Sequence, residues 1–415
     1  MTESITIPLI KSSTIEDVQF YSGSINTLDL IENSDIPRFE PGKTIEEGYQ
    51  RNPKDKRVNA IKDRVLNKPV SMDSFITNVT VNIRVPDAVS YIKEINKYGH
   101  LSFDYINALG PFWLVDGQTR IMGISLARSE ALTKKLSDVV SAIDNSRVSI
   151  TLSFTDDVYK EAYFFYLINQ YANKIPPEGA MRMIYDGFMK GKTQFVNEIT
   201  SNATNYNTDD IRAMNVAEKL YNDSSIWSTR IRDFNEIGAG RISIRACALK
   251  MCKKLTTKIH KDLEAIGSNQ NAEKFAFDVI EAYWTAIAKI FPDMFKQNTE
   301  KLYMITKSSN AEVMSNVLLN IYTNGEADGY WQTRIGFKLG DTRDPKVWTR
   351  LLTKPLKNFK DQNSKGSNVK GQQCWLVGSG GSMGTYTSAA AKGEIANRLL
   401  DEIENSIGIP RGRVV

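Results

Sequence analysis

The residues best suited to chemistry lie in one short stretch, Asp116-Gly117-Gln118-Thr119-Arg120, which we call the DGQTR turn. Arginine can hold two phosphate oxygens at once, and a carboxylate can hold a phosphate-bound Mg²⁺. Glutamine and threonine can hydrogen-bond a ligand or a water. Gly117 would let a ligand approach the backbone, because no side chain stands in the way. These residue types favour phosphate binding at the DGQTR turn.

The elements around the turn are predicted to position it at the edge of a sheet. The segment FWLVD at 112–116 is typical of a buried strand, and a helix is predicted from Gln118 to about Ser129. A helix that begins directly after a strand presents unpaired N–H groups and the positive end of its dipole to an anion. A simpler alternative remains open, in which Asp-Gly is only a capping turn and Arg120 forms only a surface ion pair.

Histidine and cysteine usage excludes several kinds of site. With only His100 and His260, the chain has almost no material for imidazole catalysis or histidine metal clusters. The three cysteines form no CxxC pair, which fits a reducing compartment without a disulfide framework or a thiolate zinc site. Cys247 and Cys252 are five residues apart on a predicted helix, so we expect buried structural thiols that do not share a face.

The overall composition predicts an ordinary globular protein, with 41% hydrophobic and 24% charged residues among 415. That length suffices for two domains, or for one domain with a helical extension. No apolar run approaches the roughly 20 residues that span a bilayer. The N-terminal MTESITIPLIKSS lacks the basic start and long apolar centre of a secretory signal. We therefore expect a cytoplasmic protein without a membrane partner.

The first part of the chain alternates between strand and helix patterns, which predicts a compact α/β domain. Strands are predicted at 74–85, 112–116 and 147–155, and helices at 86–99, 118–129 and 134–145. From residue 156 onward helical periodicity dominates. Later helices are predicted at 208–222, 242–258, 271–290, 309–323, 345–360 and 386–406.

One segment concentrates positive charge. Between Arg343 and Lys370, eight basic residues stand against two acids, a local excess of six in a chain of net charge +5. Such a segment can lie along the phosphates of nucleic acid, here through Arg350, Lys354, Lys357 and Lys360, or it can simply be a solvated helix and loop. Residues 361–373, rich in Lys, Ser, Gly and Asn, are predicted together with the following GSGGSMG to form a mobile connector.

The motif DGQTR, followed by an apolar residue and then by Met122 and Gly123, resembles the DGQHR motif of the DNA sulfur modification protein DndB and its relatives, themselves similar to the ParB/sulfiredoxin fold. Three further blocks resemble the same family: YQRNPKDKRVNAIKDRVLNKPVSMDSFITNVTVNIR (49–84), EAYFFYLINQYANKIPP (161–177) and YMITKSSNAEVMSNVLLNIY (303–322). The usual histidine of the motif is Thr119 here, so no imidazole acts at that position.

The resemblance implies an α+β protein. Its parts would be an N-terminal extension (1–34), a ParB/sulfiredoxin-like α/β domain (35–175) and a mainly helical domain (176–415) that carries the basic segment 343–370.

By the same resemblance, Asp116, Gln118 and Arg120 surround the phosphates of a nucleotide, aided by Gly117 and Thr119. Arg51, Arg57 and Arg64 approach from the N-terminal helix, and Asn169 contributes from a later one. If the nucleotide is hydrolysed, Asp116 holds Mg²⁺, Gln118 orients water and Arg120 stabilises the phosphates. Arg57 and Arg64 lie seven residues apart, a spacing equally typical of a solvent-facing stripe.

The function implied is a nucleotide-binding, DNA-associated accessory protein of a bacterial or phage DNA-modification or defence system, acting as an Mg-dependent NTPase that favours ATP. Its partners would be the nucleotide, double-stranded DNA, other DNA-modification proteins and a second copy of the chain. The alternative is a non-enzymatic DNA-binding transcriptional regulator of a DNA-modification gene cluster. A small-molecule kinase is a third possibility, which the absence of the motif's histidines weakens.

Overall fold

The computed structural model divides the chain into two compact units, Met1–Thr204 and Asn205–Val415. The residues that it describes are 5–15, 18–40, 44–67, 78–86, 89–103, 110–172, 177–203, 206–233, 236, 241–296, 299, 302–327, 342–386 and 388–407. The sequence placed domain boundaries at 34/35 and 175/176, whereas the compact units divide at 204/205. None of the helices within the described ranges combines the length and apolar character that crossing a membrane requires.

The first unit contains a mixed seven-stranded sheet in the order β3-β6-β4-β7-β2-β1-β5. Its strands are β1 (Ile5–Ile15), β2 (Val18–Asn26), β3 (Ser34–Asp35), β4 (Val79–Ile83), β5 (His100–Phe103), β6 (Phe112–Asp116) and β7 (Arg147–Phe154). The pairs β3–β6 and β4–β7 are parallel, and the other neighbours are antiparallel. The predicted strands at 112–116 and 147–155 are confirmed. Residues 5–15 and 18–26 of the predicted extension belong to this sheet.

Helices cover the sheet and connect its strands. They are α1 (Thr27–Glu32), α2 (Asp55–Asn67), α3 (Val89–Tyr98), α4 (Gln118–Thr133), α5 (Ser137–Asp144), α6 (Val158–Ala172), α7 (Pro177–Met189) and α8 (Thr193–Ala203). All five residues of β4 are buried, which suits a strand in the middle of a covered sheet. Of the predicted strand 74–85, residues 74–77 lie outside the described ranges. The α+β fold class is confirmed.

The second unit is mainly helical. Its long helices are α9 (Thr208–Asp223), α11 (Lys253–Ala265), α12 (Ala272–Ile290), α13 (Ser308–Ala327), α14 (Pro345–Asn358) and α15 (Ala389–Ile407), and α10 (Ile244–Ala246) is a short turn. Two-residue strands β8 (Ile231–Arg232) and β9 (Ile242–Ser243) pair in parallel. Four aromatic side chains, Trp227, Trp284, Tyr283 and Trp348, contact one another edge to face in the core.

A π-helical turn, Cys247–Cys252, joins α10 to α11 and corrects one prediction. In a π-turn the hydrogen bonds run from residue i to i+5, so residues five apart come onto one side of the helix. The Sγ atoms of Cys247 and Cys252 are therefore only 4.0 Å apart. The expectation that they do not share a face is wrong, whereas their burial is confirmed. Cys374, for which the sequence made no prediction, is also buried.

The predicted connector at 361–373 is also wrong, because most of it forms a hairpin. Strand β10 (Lys360–Gln362) pairs antiparallel with β11 (Asn368–Lys370). The side chain of Asn363 accepts hydrogen bonds from the backbone N–H groups of Lys365 and Ser367, which orders the turn between the strands. Short 3₁₀ turns follow at Gly371–Trp375, Gly378–Gly380 and Met383–Thr385.

Candidate functional site

Gly117 alone links the end of strand β6 to the first residue of helix α4. Its φ of 96° and ψ of 3° lie in the left-handed region, which favours glycine. A Cβ atom at this position would lie 3.0 Å from Val79 Cγ2 and 3.3 Å from Arg120 Nη2. The sharp strand-to-helix junction that the sequence predicted is therefore present, and it depends on this glycine.

The start of helix α4 leaves hydrogen-bonding groups unused. No side chain caps it, and the backbone N–H groups of Arg120 and Ile121 bond to the carbonyl of Gly117. Within the described residues, no acceptor receives the backbone N–H of Gln118 or Thr119. The side-chain Oε1 of Gln118 is buried and also lacks a partner there. At the DGQTR turn, two backbone amides thus lack an acceptor among the described residues, and unpaired amides at a helix start are groups that an anion can satisfy.

Arg120 is folded against its own turn. Its Nη2 donates to the carbonyl of Asn78 at 3.0 Å and lies 3.3 Å from Asp116 Oδ2. Burial lowers the pKa of the Arg120 guanidinium, and the nearby Asp116 carboxylate opposes that shift. Arginine nonetheless stays charged in proteins. The Asp116 carboxylate therefore neutralises part of the Arg120 charge, which we had predicted to bind a phosphate.

In the described part of the chain, the other predicted phosphate-binding side chains form no hydrogen bond with the DGQTR turn. Arg57 and Arg64 are exposed on helix α2, and Arg51 is half-buried in the segment before it. In the part of the chain that the structure describes, none of the three hydrogen-bonds to residues 116–120. Asn169 donates from Nδ2 to the carbonyl of Phe165 at 2.9 Å, one turn back in its own helix.

Asp116 is the single carboxylate at the DGQTR turn, and one of its oxygens faces Arg120. Among the described residues, no group of three or more His, Cys, Asp or Glu side chains could hold a metal ion. Mg²⁺ often needs only one or two protein carboxylates when phosphates and waters complete its shell. Asp116 could therefore hold Mg²⁺ only together with a nucleotide.

A cavity of about 240 Å³ adjoins the turn without including residues 116–120. Leu114 and Ile121, which flank the turn in sequence, form part of its wall, and Asp35 and Arg38 add charge. The remaining lining residues are Ile31, Ser34, Ile36, Met122, Ser125 and Leu126. Its wall mixes apolar side chains with the polar and charged groups of Ser34, Asp35, Arg38 and Ser125, so the lining does not by itself favour an apolar group over a phosphate.

A buried charged network, which sequence reasoning missed, fixes the sheet behind the turn. The Glu161 carboxylate is fully buried and accepts hydrogen bonds from Tyr49 at 2.8 Å, Asn82 at 2.6 Å and Arg84 at 2.7 and 2.9 Å. Burial, reinforced by the Glu161 charge, raises the pKa of Tyr49, which keeps its hydroxyl protonated as a donor. Arg84 also stacks 3.8 Å from the ring centre of Trp113 on strand β6.

In the second unit, one side of helix α14 carries a row of cationic side chains exposed to solvent. We call this side the basic face. Its members Lys346, Arg350, Lys354 and Lys357 are spaced four, four and three residues apart and are all exposed. Residues at these spacings lie on one side of a helix. The opposite side is buried through Trp348, Leu351, Leu352, Pro355 and Leu356. The structure therefore brings three of the predicted DNA-binding residues, Arg350, Lys354 and Lys357, together.

The fourth predicted DNA-binding residue, Lys360, begins the hairpin that follows helix α14. It lies directly opposite Lys370 in the antiparallel pair, and both side chains are exposed. No ion pair neutralises Lys346, Lys354, Lys357, Lys360 or Lys370 within the described ranges. The excess charge seen in the sequence is therefore carried on the surface of a folded helix and hairpin.

Comparison with known proteins assigns the chain to a family. A family model described as DndB, DNA-sulfur modification-associated, matches residues 18–324. The match includes the DGQTR turn and the Glu161 network and extends into the second compact unit as far as residue 324, so helix α14 and the hairpin lie beyond it. A search of curated proteins and a search of solved structures each return no match to the chain. On the family match, the chain belongs to the DndB family of proteins associated with DNA sulfur modification.

Proposed function

We propose that this chain is a DNA-binding accessory protein of a DNA sulfur modification system, and that it binds duplex DNA through the basic face of helix α14. The observation that carries the proposal is that exposed lysines lie in a row without an acidic partner among the described residues. The family assignment supports DNA as the polyanion. This role requires no nucleotide hydrolysis, and control of transcription is one use of such binding.

Counterion release supplies the binding free energy. Each lysine that neutralises a DNA phosphate releases condensed cations, so affinity falls with salt in proportion to the number of contacts. Lysine contacts to phosphate carry little information about sequence. Lysine contacts of the basic face therefore contribute affinity and fix the position on the duplex, and sequence preference must come from other contacts.

The test compares two double variants that each remove two positive charges. Lys354→Gln/Lys357→Gln should lower the slope of log K against log salt by about 2, since each phosphate contact contributes about 0.9. The matched control, Lys261→Gln/Lys289→Gln, neutralises two exposed lysines outside the basic face. Fluorescence anisotropy with a short duplex across a salt series gives both slopes. Equal slopes for the two variants would rule out the basic face.

A second candidate function is nucleotide binding at the DGQTR turn. It is favoured by the backbone amides of Gln118 and Thr119, which find no acceptor among the residues that the structure describes. An anion at the start of helix α4 would satisfy both donors and benefit from the helix dipole. Arg120 would have to leave Asp116 or hold the phosphate together with it. With ATP bound, Asp116 could supply one Mg²⁺ ligand. Hydrolysis would further need Gln118 to orient water and Arg120 to stabilise the transferred phosphate.

Thermal denaturation with ATP, CTP or GTP, each with and without Mg²⁺, tests this candidate. Nucleotide binding at the turn should raise the unfolding temperature of the wild type but not of Arg120→Ala. Release of phosphate by the wild type alone would extend the function to hydrolysis. If no nucleotide stabilises the wild type, the DGQTR turn is a structural junction. Unchanged DNA affinity in Arg120→Ala would keep the two candidate functions separate.

A further inference from the structure

The hairpin that follows the basic face has two different sides. Side chains alternate along a strand, so Lys360 and Gln362 of β10 share one side with Asn368 and Lys370 of β11. All four are exposed. Between them they present two ammonium groups and two amides, and no carboxylate. Every member of this set can donate hydrogen bonds to an oxyanion.

Placing Lys360 opposite Lys370 has an electrostatic cost. Residues directly opposite in an antiparallel pair have Cβ atoms about 4.5–5.5 Å apart, and like charges at that distance are destabilising. The strands are only three residues long, so little else in the pairing offsets the repulsion. An anion between the two lysines would turn this repulsion into attraction.

The other side of the hairpin is held in place by hydrogen bonds. Asp361 is 7% exposed and accepts hydrogen bonds from Tyr386 at 2.9 Å and from Arg398 at 3.0 Å. Arg398 also donates to the backbone carbonyl of Lys360 at 3.0 Å. The acid nearest to the lysine pair is therefore already occupied, and the same contacts hold the hairpin in a fixed position. A preorganised site loses less entropy when a ligand binds.

The junction between helix and hairpin is equally constrained. The backbone N–H of Gly371 donates to the carbonyl of Phe359 at 2.9 Å. A Cβ at Gly371 would lie 2.9 Å from the carbonyl oxygen of Lys357, and its φ is 54°. This close approach keeps Lys357 at the helix end near Lys370 at the hairpin end. The basic face therefore continues onto the hairpin.

A cavity of about 560 Å³ borders both strands of the hairpin. Its lining comprises Lys360, Asp361, Gln362, Asn368, Val369, Lys370, Gln373 and Arg398. We propose that the hairpin is a phosphate-binding element, in which Lys360 and Lys370 hold one or two phosphodiester groups of duplex DNA, with Gln362 and Asn368 donating beside them. This inference rests on the proposed DNA-binding function and adds a second contact beyond helix α14.

The experiment uses the full chain with Lys360→Gln/Lys370→Gln. We expect the salt slope for duplex DNA to fall by about 2, and affinity at moderate salt to fall about tenfold. The control Lys261→Gln/Lys289→Gln should leave both nearly unchanged. Since glutamine relieves the lysine repulsion, the unfolding temperature of the hairpin variant should not fall. A folded variant that binds duplex with the slope of the control would overturn the proposal.

Inorganic phosphate and ATP distinguish a DNA phosphate from a free one. If the hairpin binds free phosphate instead, either anion raises the unfolding temperature of the wild type but not of Lys360→Gln/Lys370→Gln. The slope of log K against log salt for duplex DNA is then the same for both proteins. That result would overturn DNA as the ligand. If the wild type binds no duplex at all, the proposed function falls together with this inference. If Lys354→Gln/Lys357→Gln weakens binding and the hairpin variant does not, only the hairpin inference falls.

Discussion

The DGQTR turn and the basic face both carry cations suited to phosphate, yet they use their charge differently. At the turn, the Arg120 side chain is 19% exposed and lies against Asp116 and a backbone carbonyl. On the basic face, Lys354 and Lys357 are exposed without an ion pair in the described part of the chain. A cation that the chain already neutralises must give up a partner before it binds a ligand. The residue types alone do not distinguish these cases.

In the first unit, two arginines are neutralised by carboxylates of the chain itself. Arg84 pairs with buried Glu161, and Arg128 pairs with Asp144 at 2.6 Å. Removing one partner of a buried ion pair strongly destabilises the folded protein, whereas an exposed lysine contributes little to its stability. The two regions should therefore respond in opposite ways to substitution. Loss of a charge should affect folding at the Glu161–Arg84 pair and ligand binding on the basic face.

The largest effect should come from Glu161→Gln. The substitution leaves the Arg84 guanidinium, whose side chain is only 17% exposed, without its carboxylate. We expect a loss of about 3 kcal/mol in the free energy of unfolding, measured by urea denaturation. Glu130→Gln is the control, because Glu130 pairs with Lys62 and Lys134 at the surface and should matter much less. Similar losses in both variants would mean that burial does not distinguish these pairs.

Gly117→Ala should have the next largest effect. Alanine in the left-handed region is strained, and its Cβ would crowd Val79, so we expect a loss of about 1–2 kcal/mol. Gly393→Ala is the matched control, since a Cβ there meets no atom within 4 Å inside helix α15. The control should stabilise the protein slightly, because alanine favours helices. Thermal denaturation of both variants checks the opposite signs.

Asp361→Asn should release the hairpin at a cost of about 1 kcal/mol in the free energy of unfolding. Burial tends to raise the pKa of Asp361, but the nearby Ser382 hydroxyl and hydrogen bonds from the Gln362 backbone, Tyr386 and Arg398 outweigh it and lower the pKa below its ordinary 3.8. A lowered carboxyl pKa contributes stability that is complete above the ordinary value and is lost as pH falls through the lowered value. The difference between wild type and variant should therefore persist at neutral pH and vanish in acid.

Unfolding curves of the wild type and Asp361→Asn at neutral and acidic pH measure this dependence. A difference that grows in acid would contradict the assigned pairing of Asp361.

The smallest effect should be a gain in stability from Lys370→Glu. The variant replaces a repulsive cross-strand pair with an attractive one, worth about 0.5 kcal/mol at an exposed site. Lys365→Glu, in the turn between the strands, is the control, because it changes the net charge equally without facing Lys360. Thermal denaturation at low salt gives the comparison. Stabilisation of the control alone would argue against cross-strand repulsion.

The sequence predicted most of what depends on local pattern. Strand 112–116, the helix from Gln118 and the helical second half are present, because apolar periodicity and a glycine turn are local signals. The hairpin was missed since its strands are short and polar, although the turn residues in NSKGS between KDQ and NVK were a signal for it. The sequence also predicted the exposed lysines of helix α14.

Contacts between distant residues could not be predicted. Tyr49, Asn82, Arg84 and Glu161 come from three separate parts of the chain that meet only in the folded unit, and no motif links them. An ion pair of Arg120 was foreseen as an alternative to phosphate binding, but its partner was not, and the structure places Arg120 3.3 Å from Asp116. The distance of 4.0 Å between the Sγ atoms of Cys247 and Cys252 depends on the π-helical turn. An α-helical pattern in the sequence does not predict such a turn.

The buried Gln50 side chain has a consequence for the edge of the sheet. Strand β3 pairs with Phe112 and Trp113 of strand β6. Beyond that point, Gln50 Nε2 donates to the carbonyls of Leu114 at 2.6 Å and Val115 at 3.1 Å. An unpaired strand edge is a template on which a second molecule can add a strand. By occupying these carbonyls with a side chain, Gln50 closes a route to aggregation at the margin of the sheet.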